Sequence, residues 1–127
     1  MVSMFKSVRV ADAVCVTAPD GSLVDILASC GRGSMARFSL EPGLTSKAVR
    51  HKTVEELWYF VAGRGEIWLS DGANEETIEV YPGLSLSIPG GTSFQFRCTG
   101  DTLLQAIGVT MPPWPGMEEA ESVNGKW

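Results

Sequence analysis

The chain alternates short apolar stretches with clusters of Gly, Pro and Asp, and almost none of it follows a helical period. Eight stretches read as strands: Leu23–Ala28, Met35–Leu40, Glu56–Ala62, Glu66–Ser70, Thr77–Tyr81, Leu84–Ile88, Ser93–Cys98 and Leu103–Met111. Turn dipeptides separate them at Asp20-Gly21, Pro42-Gly43, Asp71-Gly72 and Pro82-Gly83, joined by the run Pro89-Gly90-Gly91. Short strands at regular intervals predict an all-β sandwich or barrel. Beyond Met111, the run Pro112-Pro113-Trp114-Pro115-Gly116 contains three residues without a backbone N–H, so a ladder cannot continue through it. Residues 112–127 are expected to leave the barrel as an arm. Trp114 and Trp127 would then pack across the barrel mouth or against a second subunit, with Glu118–Glu121 forming a short helical turn.

Two segments within this pattern keep a fixed spacing. The first runs Gly43, LTSKA, Val49, Arg50, His51, KTVE, Glu56, LWYFVA, Gly63; the second runs Gly83, LSLSI, Pro89, Gly90, Gly91, TS, Phe94, QFR, Cys98. Together they resemble the two-part signature of the cupin family. Val49 stands where that signature has its first His, Phe94 where it has its third, and Cys98 where it has Asn. The resemblance covers roughly Met35 to Met111. It implies a single domain over residues 1–127, a cupin-type jelly-roll β-barrel with its core at about 35–111 and its site inside.

Strand alternation then says which side chains share that interior. If Glu56 faces inward, as its family counterpart does, Trp58 and Phe60 face in with it while Leu57 and Tyr59 face out. Phe94, Phe96 and Cys98 share one face, and so do Val49 and His51 if their segment is extended. The expected pocket is apolar and aromatic, lined by Val49, Trp58, Phe60, Phe94 and Phe96, with His51 and Glu56 as its polar groups. A barrel filled solid by the same aromatic side chains is the competing expectation. Glu55, Arg50 and Arg37 are expected at the surface, with Arg50 opposite His51.

Relatives that bind a metal are implied to use three His and one Glu. Here Val49 and Phe94 cannot ligate, which leaves His51 and Glu56, too few for a tight divalent site. No metal and no other cofactor are therefore expected. His51 is the sole histidine. It is a candidate acid–base catalyst oriented by Glu56, or else half of a structural polar pair.

Composition narrows the partners. A net charge of −5, with no run of Lys or Arg in 127 residues, argues against nucleic acid or an anionic membrane surface as partner. No apolar run approaches the length of a membrane span. At the N-terminus Lys6 and Arg9 interrupt the apolar residues, against a signal peptide. Cys15, Cys30 and Cys98 form no CxxC pair and fit reduced thiols in the cytoplasm. The resemblance further implies a homodimer. The reading is a small, metal-free cupin that binds a small, partly apolar molecule in the barrel. The alternatives are an enzyme, either a metal-free acid–base isomerase or epimerase using His51 and Glu56 or a weakly metal-dependent dioxygenase or isomerase, and a solid-cored interaction protein.

Overall fold

The computed structural model describes residues 5–127, so the first four residues of the N-terminal segment read above lie outside the described residues, while Lys6 and Arg9 lie within them. Its strands are β1 (Cys15–Thr17), β2 (Leu23–Cys30), β3 (Gly33–Leu40), β4 (Val49–His51), β5 (Glu55–Ala62), β6 (Gly65–Ser70), β7 (Glu75–Val80), β8 (Ser85–Ile88), β9 (Ser93–Cys98), β10 (Leu104–Met111) and β11 (Ala120–Ser122). Among the described residues helix is confined to two single 3-10 turns, Val10–Asp12 and Met117–Glu119. One sheet has the order β1-β2-β3-β10-β5-β8 and the other β11-β4-β9-β6-β7. All neighbours run antiparallel, giving the all-β architecture that the turn spacing predicts and the jelly roll that the cupin resemblance implies.

All eight predicted strands form. The three additional ones, β1, β4 and β11, are each three residues long, too short to leave a periodic signal. β1 and β2 extend the larger sheet ahead of Met35. The helical turn expected over Glu118–Glu121 ends at Glu119 instead. Ala120–Ser122 is drawn straight by pairing with β4, where Ala120 faces His51 and Ser122 faces Val49.

Alternation decides the core. Along β5, Glu56, Trp58 and Phe60 are buried while Leu57, Tyr59 and Val61 are exposed. Phe94, Phe96 and Cys98 enter the core from β9. Phe60, Ile67, Phe96 and Leu104 close one end of the barrel, each burial worth about 1.5–3 kcal/mol. Gln95 points to the opposite face yet is also buried, because the chain end crosses it. Its Oε1 accepts the Trp127 N–H at 3.0 Å and its Nε2 donates to the Ser46 carbonyl at 2.9 Å. Two glycines let backbones approach where a Cβ would collide. Gly63, at φ +78°, meets the Leu103 carbonyl, and Gly108 lies directly under the Phe38 ring.

Candidate binding cavity

The end of the barrel opposite the Phe60–Phe96 packing is open. A cavity of about 300 Å³ lies there, at the lower end of the usual size of small-molecule sites. Phe38, Trp58 and Phe94 form aromatic walls, and Val24, Ile26 and Met35 add apolar surface. Phe38 and Trp58 stack with centroids 4.8 Å apart at 21°, a contact that Gly108 makes room for on the strand between them. Val49, His51, Glu56, Trp58 and Phe94 all line the space, as expected from their alternation. Phe60 and Phe96 do not. They pack behind Trp58, at 6.0 and 5.3 Å, in the filled part of the barrel. Open and solid barrel thus coexist in this molecule, with Trp58 as the divide.

His51 ends β4 and Glu56 is the second residue of β5, so one tight connection brings imidazole and carboxylate together. His51 Nδ1 lies 2.9 Å from Glu56 Oε2. Despite that distance the pair lacks hydrogen-bond alignment, and both atoms are buried without an aligned partner. The contact is close without being an aligned hydrogen bond, and it becomes an ion pair only when the imidazole takes up a proton. Glu56 Oε1 accepts the Trp58 indole N–H at 3.3 Å, fixing the carboxylate from its other side. Phe94 and Trp114 meet the imidazole edge-on, at 5.2 and 5.0 Å.

A third ionisable group lines the cavity that the sequence reading treated only as part of a turn. Asp20 sits between β1 and β2 and is 6% exposed. Its Oδ1 accepts both the backbone N–H and the hydroxyl of Ser22, at 2.9 and 2.6 Å. Its backbone carbonyl accepts the Lys47 N–H at 2.7 Å, which ties the turn to the barrel. Burial raises the Asp20 carboxyl above its ordinary value of 3.8, against the two Ser22 hydrogen bonds; Glu56 pushes it further up and His51 pulls it down. The Asp-Gly signal identified a turn, but nothing in the sequence said that the turn faces inward.

The C-terminal arm returns to the mouth. Pro113, Trp114 and Met117 join the lining, and the Trp114 N–H donates to Ser34 Oγ at 2.9 Å. Glu119 anchors the arm: its carboxylate accepts the Thr53 N–H, the Val54 N–H at 2.8 Å and the Thr53 hydroxyl. Burial alone would raise the Glu119 carboxyl, but these bonds outweigh it and hold it below the ordinary 4.5. Arg50, Glu55 and Arg37 stay outside the cavity. Arg50 pairs with Glu121 at 2.7 Å, and Arg37 with Asp25 at 2.9 Å.

The donor set does not suit a metal. Val49 and Phe94 are 3% and 1% exposed and offer no ligand atom, and no group of three or more His, Cys, Asp or Glu among the described residues is arranged to hold an ion. Neither Lys nor Arg lines the cavity. Among the described residues, no helix is long and apolar enough to cross a membrane.

Comparison with known proteins agrees with this architecture. No curated protein matches the chain. Among solved structures, Streptomyces Pac13 with uridine is similar at TM-score 0.75 and 14% identity, over 97% of this chain and 93% of that one; Pac13 is described as a nucleoside dehydratase. RemF, a polyketide cyclase from Streptomyces resistomycificus, is similar at TM-score 0.75 and 21% identity, over 97% of this chain and 88% of its own. At these identities the likeness is one of fold. The profile described as Cupin domain matches residues 36–110, and with that match the chain belongs to the cupin family.

Proposed function

We propose that this cupin binds a small, partly apolar, uncharged organic molecule in the open end of its barrel, between Val49, His51, Glu56, Trp58 and Phe94. The cavity itself carries the reading: about 300 Å³, aromatic-walled, with few polar groups. The lack of a lining cation supports an uncharged ligand, since a carboxylate or phosphate would meet Asp20 and Glu56 with no counter-charge. Trp58 and Trp114 line the cavity, so binding of 2-acetylnaphthalene should quench tryptophan fluorescence saturably. Ala36→Phe, which fills one wall, should abolish that quench. A saturable quench unchanged by Ala36→Phe would move the site elsewhere and end this reading.

A second reading adds chemistry, namely metal-free acid–base catalysis by His51 and Glu56. The observation that favours it is the buried, misaligned contact between His51 Nδ1 and Glu56 Oε2. A purely structural pair gains from aligning its hydrogen bond, and a catalytic role is one of the reasons a buried polar atom is left without an aligned partner. Exchange of the methyl protons of 2-acetylnaphthalene for deuterium would test it, with a fall of about a hundredfold expected in His51→Gln. Two further expectations belong to the proposal. The exposed Leu57, Tyr59 and Val61 on β5 support a second copy packed on that sheet face, and the three free thiols support a reducing compartment.

A further inference from the structure

We propose that Asp20 is the proton donor of this cavity, set as an acid against the His51–Glu56 base, and that the substrate class is an uncharged carbonyl compound with an acidic C–H beside the carbonyl. The inference rests on the acid–base reading above and deepens it. Four observations carry it. Asp20 lines the same cavity as His51 and Glu56. It is buried, and the fixed turn that holds it directs both Ser22 bonds to Oδ1. Oδ2 takes no hydrogen bond from any described residue, so it is the oxygen left to carry a proton. Finally, the ionisable groups facing it are Glu56 and His51, and no Lys or Arg lines the cavity to favour an ionised Asp20. Burial raising the carboxyl agrees with this geometry. A carboxylic acid kept neutral in an apolar site is a known way to donate to a carbonyl at neutral pH.

The step balances without a metal or co-reactant. His51, its Nδ1 side held against Glu56, removes the proton from the carbon beside the carbonyl. The C–H electron pair forms the new C=C bond as the C=O π pair moves onto oxygen, which takes the Asp20 proton and becomes an enol. In the return step the imidazolium delivers its proton, on the face it was taken from, to the far carbon of a C=C adjoining the enol, whose π pair forms the new C–H bond as the enol collapses to C=O and its O–H proton goes back to Asp20. The net change is isomerisation, and the site is restored. General acid and base of this kind each contribute about a hundredfold or more.

The test uses the full chain with 2-acetylnaphthalene as probe. Carbon-13 labelling of aspartate carboxyls gives the Asp20 titration, assigned by the signal missing in Asp20→Asn. The expected results are a midpoint above the ordinary aspartate range, a probe affinity in Asp20→Asn within about threefold of the parent, and exchange of the probe's methyl protons reduced about a hundredfold. Should Asp20→Asn fail to fold, Ser22→Ala serves instead. It removes a bond that favours the ionised form, so it moves the Asp20 signal and raises its midpoint further. A midpoint at or below the ordinary range overturns the inference. So does parental exchange in Asp20→Asn when His51→Gln has lost it, an outcome that leaves the acid–base reading standing. Absence of exchange above solution in the parent protein overturns that reading and this inference together.

Discussion

Val49 and Phe94 are direct cross-strand partners, paired between β4 and β9. The two positions at which the resemblance to metal-binding cupins implies a missing His are therefore one contact, with facing side chains about 5 Å apart at Cβ. Each buried apolar group makes the other tolerable, since a lone imidazole in either place would face hydrocarbon.

The pairing predicts a non-additive result. Val49→His or Phe94→His alone leaves three donors with His51 and Glu56 and one apolar neighbour, whereas the double variant completes a set of four. Three protein donors can bind zinc but four enclose it, so elemental analysis after dialysis against a mild chelator should find little zinc or nickel retained in either single variant and close to one ion per chain in the double. Equal loading of a single variant would show that the cross-strand partner does not limit the site. An empty double variant would show that the strands sit too far apart for coordination.

Most of the fold, and half of the site, can be read directly in the residues. The alternation of β5 alone places Glu56, Trp58 and Phe60 inside and Leu57, Tyr59 and Val61 outside. Which end of the barrel is open is not encoded in any period, so Phe60 and Phe96 look like pocket residues until their packing behind Trp58 is seen. Asp20 escapes for a different reason: a turn residue has no face until tertiary contacts such as the Lys47 N–H to Asp20 carbonyl bond give it one. The same holds for Glu119, whose partners Thr53 and Val54 lie far away in sequence.

Asp20 should make the protein less stable as pH rises. Its folded carboxyl titrates above 3.8 because burial disfavours the charge. The unfolded chain thus releases the proton first, and stability falls from about pH 4 upward until the folded group has also ionised. Asp20→Asn lacks this loss while keeping an oxygen for Ser22. Thermal melts of parent and variant should differ least at pH 3 and diverge above pH 4, with Asn the more stable near neutrality. A gap independent of pH would show that Asp20 does not titrate differently in the folded state.

Glu119 has the opposite sign. Its folded carboxyl lies below 4.5, because the Thr53 and Val54 hydrogen bonds outweigh its burial. Its contribution is complete above the unfolded value and is lost as pH falls through the lower folded one. Glu119→Ala leaves the Thr53 and Val54 amides without their acceptor and should cost about 1–3 kcal/mol at pH 7. Denaturant titrations should show that difference shrinking below pH 4. A constant difference would assign the loss to packing.

Removing the arm is the strongest test of how the mouth is built. A chain ending at Met111 loses the β11 to β4 pairing, the Glu119 bonds, the Trp127 N–H to Gln95 bond and the Trp114 ring lying 5.0 Å from His51. It should therefore expose Gln95 and the Val49–His51 strand edge, melt at lower temperature and tend to self-associate. Trp114→Ala keeps every anchor in that set except the ring, so it separates the ring's role at the mouth from the arm's role in stability. In that variant 2-acetylnaphthalene should bind about tenfold more weakly, as expected for loss of one stacking partner, with a melting temperature much closer to the parent's than to the truncated chain's. If truncation leaves melting temperature, mass and solubility unchanged, the arm does not pack on the barrel. If the truncated chain is destabilised while Trp114→Ala binds the probe as tightly as the parent, the arm is a brace for β4 and the ligand is held by Trp58, Phe38 and Phe94 alone.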